Sequence, residues 1–368
     1  MITQLDLLLA ALPERLQSAF NNIFVYETAL GQALPPAEMQ AWVKQHFGSL
    51  EAVQQQHILK ITNRLTLEGA LFNPLRARRP AGKVGDDAEL ERWIATELHD
   101  DMFARPLTDT TADVFGRIQG RFCVTASNVA KYDAWHGLII PNEAQPLHFS
   151  AEQLEDYMAT ALRWIATAHA HDSAAVYPII TWNCMPKSGA TIVHGHWQMA
   201  LTRGMHYARV ELWRRVAQHY LDETGHSYWQ DFTDIHSALG LQLPVDMDTA
   251  RLHAFAHLTP LRNNEIVIFS DASAFQNDMG SGLAASLHRF LRHLIERQGM
   301  RAFNIAIALP ALVATPESWE AVPVIARLAD RGPALTTRND WGAMELYGTG
   351  VITADPFEVA AAYRNGEY

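Results

Sequence analysis

The chain of 368 residues has only two cysteines, Cys123 and Cys184, and they lie far apart in the sequence. Because no Cys-x-x-Cys pair is present, thiolate zinc ribbons and disulfide scaffolds are excluded. So few cysteines suit a reducing compartment, and we expect a cytoplasmic protein.

Long hydrophobic runs are also missing. No window approaches the roughly 20 apolar residues that a membrane-spanning helix needs, so no membrane partner is expected. The apolar run Leu7–Leu12 is short, follows Asp6 and has no basic leader. This pattern predicts an amphipathic helix rather than a signal peptide.

Positive charge is in deficit. The 29 Lys and Arg residues are outnumbered by 40 Asp and Glu residues, which gives a net charge of −11. A nucleic-acid backbone is therefore excluded as a general partner, and basic residues must bind anions locally. With 48% hydrophobic and 19% charged residues, the composition is that of a globular protein with a well-buried core.

The periodicity of apolar residues changes along the chain. Residues 1–65 carry apolar positions at three- and four-residue intervals and few strand formers, which predicts helices. A break rich in Pro, Gly and Arg follows at Leu71–Asp87. Helical spacing then returns over residues 87–103.

A pattern of strand pair, helix and strand occurs twice, at about 121–201 and 251–310. In the first copy, Ser150 fits the N-cap of a helix that continues to about His171. Antiparallel sheets with helices on one face, an α+β fold, are therefore expected. The predicted organisation is a helical extension over 1–65, a first half over 66–235 that carries the active site, and a degenerate second half over 236–368.

The stretch ATIVHGHWQMAL, Ala190–Leu201, concentrates the chemistry. If it is a strand, His194, His196 and Gln198 project from one face, because alternate residues share a face. Gly195 weakens a strand, so its presence indicates that another group approaches the backbone closely.

Three interpretations of the two histidines compete. Two core histidines beside a glutamine are costly to bury without partners. As metal ligands, alternate imidazoles on a strand can meet one zinc ion, but a third ligand has no recognisable pattern. As a nucleophile site, one neutral imidazole attacks phosphorus while its neighbours donate hydrogen bonds to the phosphate oxygens.

The turn before this stretch favours the nucleophile. A glycine, hydroxyl groups and an ammonium form a reasonable phosphate cradle, although the order is not that of a Walker A loop. The residues concerned are Lys187, Ser188, Gly189 and Thr191.

Together these residues resemble the galactose-1-phosphate uridylyltransferase branch of the histidine-triad superfamily, which carries an Asn, a Gly- and Ser-containing turn and His-Pro-His-x-Gln. Here Thr191 replaces the Ser and Gly195 replaces the Pro. The resemblance implies two histidine-triad-like halves, with His196 as the nucleophile and Gln198 holding phosphoryl oxygens. The positions that match are Asn183, Gly189, Thr191, His194, His196 and Gln198.

Looser similarities extend the resemblance from about residue 70 to the end of the chain. NPLRARRP is similar to amino-terminal motifs of the family and implies phosphate- or nucleotide-facing roles for Arg76 and Arg79, where a solvated basic loop is the alternative. SNVAKYDAWHGLIIP is closer to the dinucleotide and NDP-sugar phosphorylases, and makes Asn128 and Lys131 candidate ligand contacts.

The departures concern metals. The family's zinc-binding Cys-x-x-Cys is missing, and Asn142 stands where a zinc-ligand His is expected. Ala306 and Ala308 occupy positions where uridylyltransferases carry metal-binding histidines. We therefore assign no metal ligands, and the covalent step requires no cofactor; magnesium could accompany the nucleotide.

The predicted function is transfer of a nucleoside monophosphate from an NDP-sugar or related nucleotide to a sugar 1-phosphate or phosphate, through nucleotidyl-His196. The alternatives are an NDP-sugar or dinucleoside-polyphosphate phosphorylase, an inactive nucleotide-binding module, and a metal hydrolase using both histidines. The chain could form a homodimer. The nucleobase and the sugar are not determined by the sequence.

Overall fold

The computed structural model describes residues 1–79, 84–245, 251–336 and 341–364. Residues 80–83 of the basic break lie outside the described residues. The helices are α1 Leu5–Ala10, α2 Glu14–Ile23, α3 Ala37–Phe47, α4 Leu50–Gln54, α5 Asp87–Glu97, α6 Pro106–Asp109, α7 Ala151–His171, α8 Ala208–Thr224, α9 Tyr228–Ala238, α10 Ala272–Asn277, α11 Ser281–Glu296 and α12 Pro356–Arg364. The strands are β1 Phe24–Gln32, β2 Gln55–Asn63, β3 Gly69–Phe72, β4 Cys123–Ser127, β5 Trp135–Pro141, β6 Ala175–Cys184, β7 Trp197–Arg203, β8 Gln242–Leu243, β9 Leu252–Ala256, β10 Ile266–Ser270, β11 Ala302–Ala308, β12 Val324–Gly332 and β13 Thr349–Ile352.

The strands form a nine-stranded sheet in the order β4-β5-β7-β6-β11-β12-β10-β9-β8 and a four-stranded sheet in the order β1-β2-β3-β13. The large sheet is antiparallel throughout. The predicted α+β class is therefore confirmed.

The repeat predicted from the sequence is visible in the large sheet. The first copy contributes β4-β5-β7-β6, and the second contributes β11-β12-β10-β9, the same order reversed. The two copies meet where β6 pairs with β11, from Phe303 opposite Cys184 to Ala308 opposite Ile179. The long helix of each copy, α7 or α11, follows the second strand of that copy.

The predicted N-cap of α7 is confirmed. Ser150 caps the helix and forms a capping box with Gln153.

One face of the large sheet is covered by α7 and α11, which pack against each other. Trp164 of α7 lies so close to β5 that a Cβ on Gly137 would be 2.5 Å from its indole ring. The glycine is therefore required for helix and sheet to approach this closely.

The opposite face of the large sheet is covered by α-helices in the second half only, among the described residues. Directly paired residues project to the same side of an antiparallel sheet, so one continuous row crosses this face. The row runs through Leu138, Gln198, Thr181, Ala306, Arg327, Val267 and Phe255. Over the second half, α8 and α9 cover the row with aromatic side chains such as Trp229, whose ring centroid is 4.9 Å from that of Phe269.

The prediction that residues 1–65 are helical is wrong for two nine-residue strands. β1 and β2 pair over their whole length, from Phe24 opposite Asn63 to Gln32 opposite Gln55. Period-two burial is present in β2, where Leu59 and Ile61 are buried and Lys60 is exposed. Most of β1 is exposed, so it has no buried stripe from which a strand could be predicted.

The small sheet takes strands from all three of the predicted segments. β1 and β2 precede residue 65, β3 follows it, and β13 pairs in parallel with β3 near the end of the chain. The boundaries 1–65, 66–235 and 236–368 remain predictions. No helix within the described ranges is long and apolar enough to cross a membrane.

A buried ionic network fastens the small sheet to the second half. Arg327 of β12 binds both Glu265 and Glu68, and Glu68 lies in the turn between β2 and β3. His257 contacts Glu265 at 3.1 Å. Burial favours the protonated form of Glu265, but Arg327 and His257 outweigh it and lower its pKa to about 2.

We expect Arg327→Met to lower the free energy of unfolding by about 3–5 kcal/mol, because it leaves the buried Glu265 carboxylate without its arginine and Glu68 with only the partly exposed Arg209. Urea denaturation measures the change. The control is Arg292→Met, which removes an exposed pair with Glu296 on α11 and should cost at most about 1 kcal/mol. Equal unfolding midpoints for the two variants would show that the network contributes little.

Candidate active site

His196 is held in one tautomer. Its Nδ1 donates a hydrogen bond of 2.8 Å to the backbone carbonyl of His194, and its Nε2 makes no hydrogen bond to a described residue. The side chain is buried, with 6% of its surface exposed. An unprotonated, unbonded Nε2 is the nitrogen that a nucleophilic histidine needs.

His194 uses both of its ring nitrogens within the protein. Nδ1 contacts the Asp101 carboxylate, and Nε2 donates to the carbonyl of Pro141 at 2.9 Å. The ring therefore has no free nitrogen with which to bind a metal ion or a phosphate.

The predicted strand over residues 191–201 is correct only from Trp197 onward. Residues 191–196 are not paired with a neighbouring strand. The amide of Gly195 donates to the carbonyl of Ala144 at 3.1 Å. A Cβ on Gly195 would lie 3.2 Å from Cα of Pro146, so glycine is present because the loop over residues 144–146 approaches its backbone.

Sequence reasoning missed the turn that holds both histidines. Asp101 precedes a 3₁₀ turn, Met102–Ala104, and accepts a hydrogen bond from the amide of Phe103 at 2.9 Å. The Phe103 ring meets both imidazoles edge-on, at centroid distances of 5.8 Å from His194 and 5.3 Å from His196. The cap was visible in the sequence, but its pairing with a residue 93 positions away was not.

Gln198 is placed by His136, on the neighbouring strand. The Oε1 atom of Gln198 contacts Nε2 of His136 at 2.9 Å, which leaves the Gln198 amide nitrogen without a partner in the described part of the chain. This nitrogen is therefore available as a donor. Gln198 makes no hydrogen bond to His194 or His196 within the described residues. The three residues predicted to share one strand face therefore have separate partners: Gln198 bonds His136, and the two histidines bond other segments and each other.

The predicted ligand contacts Asn128 and Lys131 lie in one loop beside His136. The ammonium of Lys131 donates to Ser127 at 2.6 Å and to the His136 carbonyl at 3.1 Å. Asn128 accepts from the amide of Ala130 at 3.0 Å. Both side chains hold their own loop in shape.

The predicted phosphate turn is fastened to the second half. Asn304 of β11 donates to the side chain of Asn183 at 2.7 Å and to the carbonyl of Ser188 at 2.8 Å. Within the turn, Met185 has a φ of 73°, a conformation that costs a non-glycine residue about 1–3 kcal/mol. The buried hydroxyl of Ser188 makes no hydrogen bond to a residue within the described ranges, whereas Thr191 is exposed.

Three of the predicted basic residues meet in a different place. Arg76, Arg79 and Lys187 line a cavity of about 570 Å³, together with Arg262 and Arg331 of the second half. Arg331 also donates to Asn304 at 2.7 Å, so the cavity is connected by hydrogen bonds to the turn that follows Asn183. The predicted residues thus form two groups, one around His196 and one around this cavity.

The electrostatics of the site favour the neutral forms of His196 and His136. Burial lowers the pKa of His196 and has the largest effect; the His194 carbonyl and the Asp101 carboxylate oppose it, and the nearby His194 ring acts in the same direction as burial. Burial likewise lowers the pKa of His136. Within the described ranges, no group of three or more His, Cys, Asp or Glu side chains is placed to hold a metal ion.

With this geometry in place, comparison with solved structures shows that the chain shares its fold with a phosphorylase, a GalT-like protein and a uridylyltransferase, each at low sequence identity. The chain is similar to an ADP-glucose phosphorylase from Arabidopsis thaliana with bound ADP-glucose, with a TM-score of 0.62, 16% identity, and coverage of 82% of this chain and 96% of that one. It is also similar to a GalT-like protein from Arabidopsis thaliana, with a TM-score of 0.57, 15% identity, and coverage of 72% and 90%. It is similar as well to a uridylyltransferase, with a TM-score of 0.56, 12% identity, and coverage of 67% of this chain and 85% of that one.

No protein-family model matches the sequence, and no curated protein matches it. The resemblance that begins with the His-Gly-His-x-Gln motif is therefore confirmed at the level of the fold.

Gly195→Pro should destabilise the site although the motif that the sequence resembles has proline there, because proline cannot donate to Ala144 and adds a Cβ facing Pro146. We expect a loss of about 2–4 kcal/mol in unfolding free energy, measured by urea denaturation. Gly195→Ala keeps the amide and should lose less. A proline variant as stable as the wild type would contradict this explanation of the glycine.

Proposed function

We propose that the chain transfers a nucleoside monophosphate group from an NDP-sugar to a phosphate acceptor, through a covalent bond to Nε2 of His196. The observation that carries the proposal is the state of the His196 ring. Nδ1 donates to the His194 carbonyl, Nε2 is unbonded, and burial lowers the pKa, so the imidazole is neutral near pH 7.

In the first step, the lone pair of His196 Nε2 forms a bond to the α-phosphorus of the donor. The bond from this phosphorus to the bridging oxygen breaks, and sugar 1-phosphate leaves with the electron pair. As the ring gains positive charge, its Nδ1–H bond to the His194 carbonyl strengthens and stabilises the transition state. The unpartnered amide nitrogen of Gln198 supports a role in donating to a non-bridging oxygen.

In the second step, an oxygen of the acceptor phosphate attacks the same phosphorus and the P–N bond breaks. His196 returns to its starting tautomer, since the Nδ1 proton never leaves the ring. Inorganic phosphate as the acceptor makes the enzyme a phosphorylase, and a sugar 1-phosphate makes it a transferase. The similarity to a structure described as an ADP-glucose phosphorylase favours the phosphorylase as second candidate.

The anionic parts of donor and acceptor need basic partners. The cavity lined by Arg76, Arg79 and Lys187 supports this role, because Arg331 and Asn304 join it by hydrogen bonds to the turn around Ser188. Ser188 and Thr191 remain proposed phosphate contacts in that turn. Asn128 and Lys131 support the site by holding the loop beside His136.

The other two interpretations explain less of the geometry. A metal hydrolase needs both histidines as ligands, but three of their four ring nitrogens already bond to protein atoms. A binding-only module has no use for a neutral imidazole in which a backbone carbonyl bonds Nδ1 and so leaves Nε2 unprotonated.

Labelled NDP-sugars with uridine, adenosine and guanosine should form an adduct with the protein that is acid-labile and base-stable, as a phosphoramidate is. His196→Ala should abolish the adduct. His226→Ala, at an exposed histidine of the α8–α9 loop, should label like the wild type. Mass spectrometry locates the label.

Adding inorganic phosphate or a sugar 1-phosphate to the labelled protein should release the nucleotide, and the more effective acceptor identifies the reaction class. Failure of every donor to label the wild type, or labelling of His196→Ala, would refute the covalent mechanism.

The labelling rate should stay constant as the pH falls through 6.5 and decline only in more acid solution. Attack requires neutral His196, and its folded-state pKa lies below the ordinary value of 6.5 because the ring is buried. Single-turnover labelling between pH 4.5 and 8 measures this. A midpoint at or above 6.5 would mean that His196 is not desolvated.

A further inference from the structure

We propose that Asp101 is a positioning residue that sets the tautomer and orientation of His196 by acting through His194. The inference rests on the proposed function, because it explains how the nucleophile is prepared. Asp101 makes no hydrogen bond to His196 among the described residues; its carboxylate charge raises the pKa of His196 slightly, but its effect on the ring's tautomer and orientation passes through one imidazole ring and one backbone carbonyl.

The first part of the geometry is the Asp101 carboxylate itself. One oxygen caps the 3₁₀ turn by accepting from the Phe103 amide at 2.9 Å, and the other contacts Nδ1 of His194. The side chains of Asp101 and His194 are each 2% exposed. Water is therefore excluded from the contact. Neither side chain can replace its bond to the other with a bond to solvent.

The second part is the opposite side of the His194 ring. Nε2 donates to the carbonyl of Pro141, the last residue of β5, at 2.9 Å. The ring is thus fixed between a carboxylate on one segment and a sheet strand on another. With the side chain fixed at both nitrogens, the backbone of His194 is fixed as well, and its carbonyl points at Nδ1 of His196.

The proton arrangement follows from these partners. The Pro141 carbonyl only accepts, so Nε2 of His194 carries a proton, and a second proton lies between Nδ1 and the carboxylate. Imidazole and carboxyl together are therefore neutral. The pair holds the nucleophile in place without adding net charge beneath it.

Phe103 links the same turn to both histidines. Its ring packs against His194 and His196, while its amide is capped by Asp101. Residues 101–103 therefore fix the nucleophile's ring by packing and its tautomer by hydrogen bonding, from a single turn.

Three variants separate the functions of Asp101. Asp101→Ala removes both hydrogen bonds. Asp101→Ser keeps a side-chain oxygen to cap the turn but is too short to reach His194. Asp101→Asn keeps both bonds, because its oxygen can cap Phe103 and its amide can donate to neutral His194. Asp231→Ala serves as control, since it removes a buried carboxylate that binds Arg15 and Tyr220 instead.

We expect Asp101→Ala and Asp101→Ser to form the adduct about 100-fold more slowly at saturating donor, with the donor KM little changed, because a misplacement of about 1 Å costs this much. Asp101→Asn and Asp231→Ala should react within about fivefold of the wild type. A serine variant at the wild-type rate, or an asparagine variant as slow as alanine, would overturn the proposal.

Nitrogen-15 NMR of the His196 ring provides a measurement independent of turnover. The wild type and Asp101→Asn should show protonated Nδ1 and bare Nε2, whereas Asp101→Ser should show Nε2 protonated in part of the population. A slow serine variant with the wild-type ring spectrum would also overturn the proposal. If no donor labels the wild type, the proposed function fails while these spectra still test the role of Asp101.

Discussion

The pairing of β6 with β11 is the contact on which the rest of the structure depends. Each half alone ends in an unpaired edge strand, and joining the two edges produces one sheet with a shared core. The same strand pair places Asn183 opposite Asn304, and Asn304 of the second half holds the turn around Ser188 by hydrogen bonds. The second half, which lacks the His-Gly-His motif, can in this way still support the half that carries it.

The two halves use the same sheet face for different purposes. In the first, the face carries Gln198 and His136, and it meets the short turn around Phe103 and the ring of Tyr132, whose centroid is 3.8 Å from that of His136. In the second, Arg327 occupies the corresponding strand, is surrounded by buried carboxylates and is covered by α8 and α9. One half therefore keeps its polar groups available for chemistry, while the other uses them to attach the small sheet.

Features set by short-range chemistry were predictable from the sequence. The capped helix beginning after Ser150 and the repeated strand–helix pattern both depend on nearby residues. Features set by distant contacts were not. The partner of His194 lies in a segment predicted as helix, and Gly195 is explained by Pro146. Lys131 has the charge of a phosphate ligand, but its neighbours Ser127 and Asp113 engage it.

The small sheet constrains the order in which the chain can be completed during synthesis. β1 and β2 are made before every strand of the large sheet and can pair at once, since they are antiparallel and close in sequence. β3 then presents an open edge, because its parallel partner, Thr349–Ile352, follows every strand of the large sheet. The crossover between β3 and β13 contains the whole large sheet, so the small sheet keeps an exposed edge until both halves of the large sheet have been made.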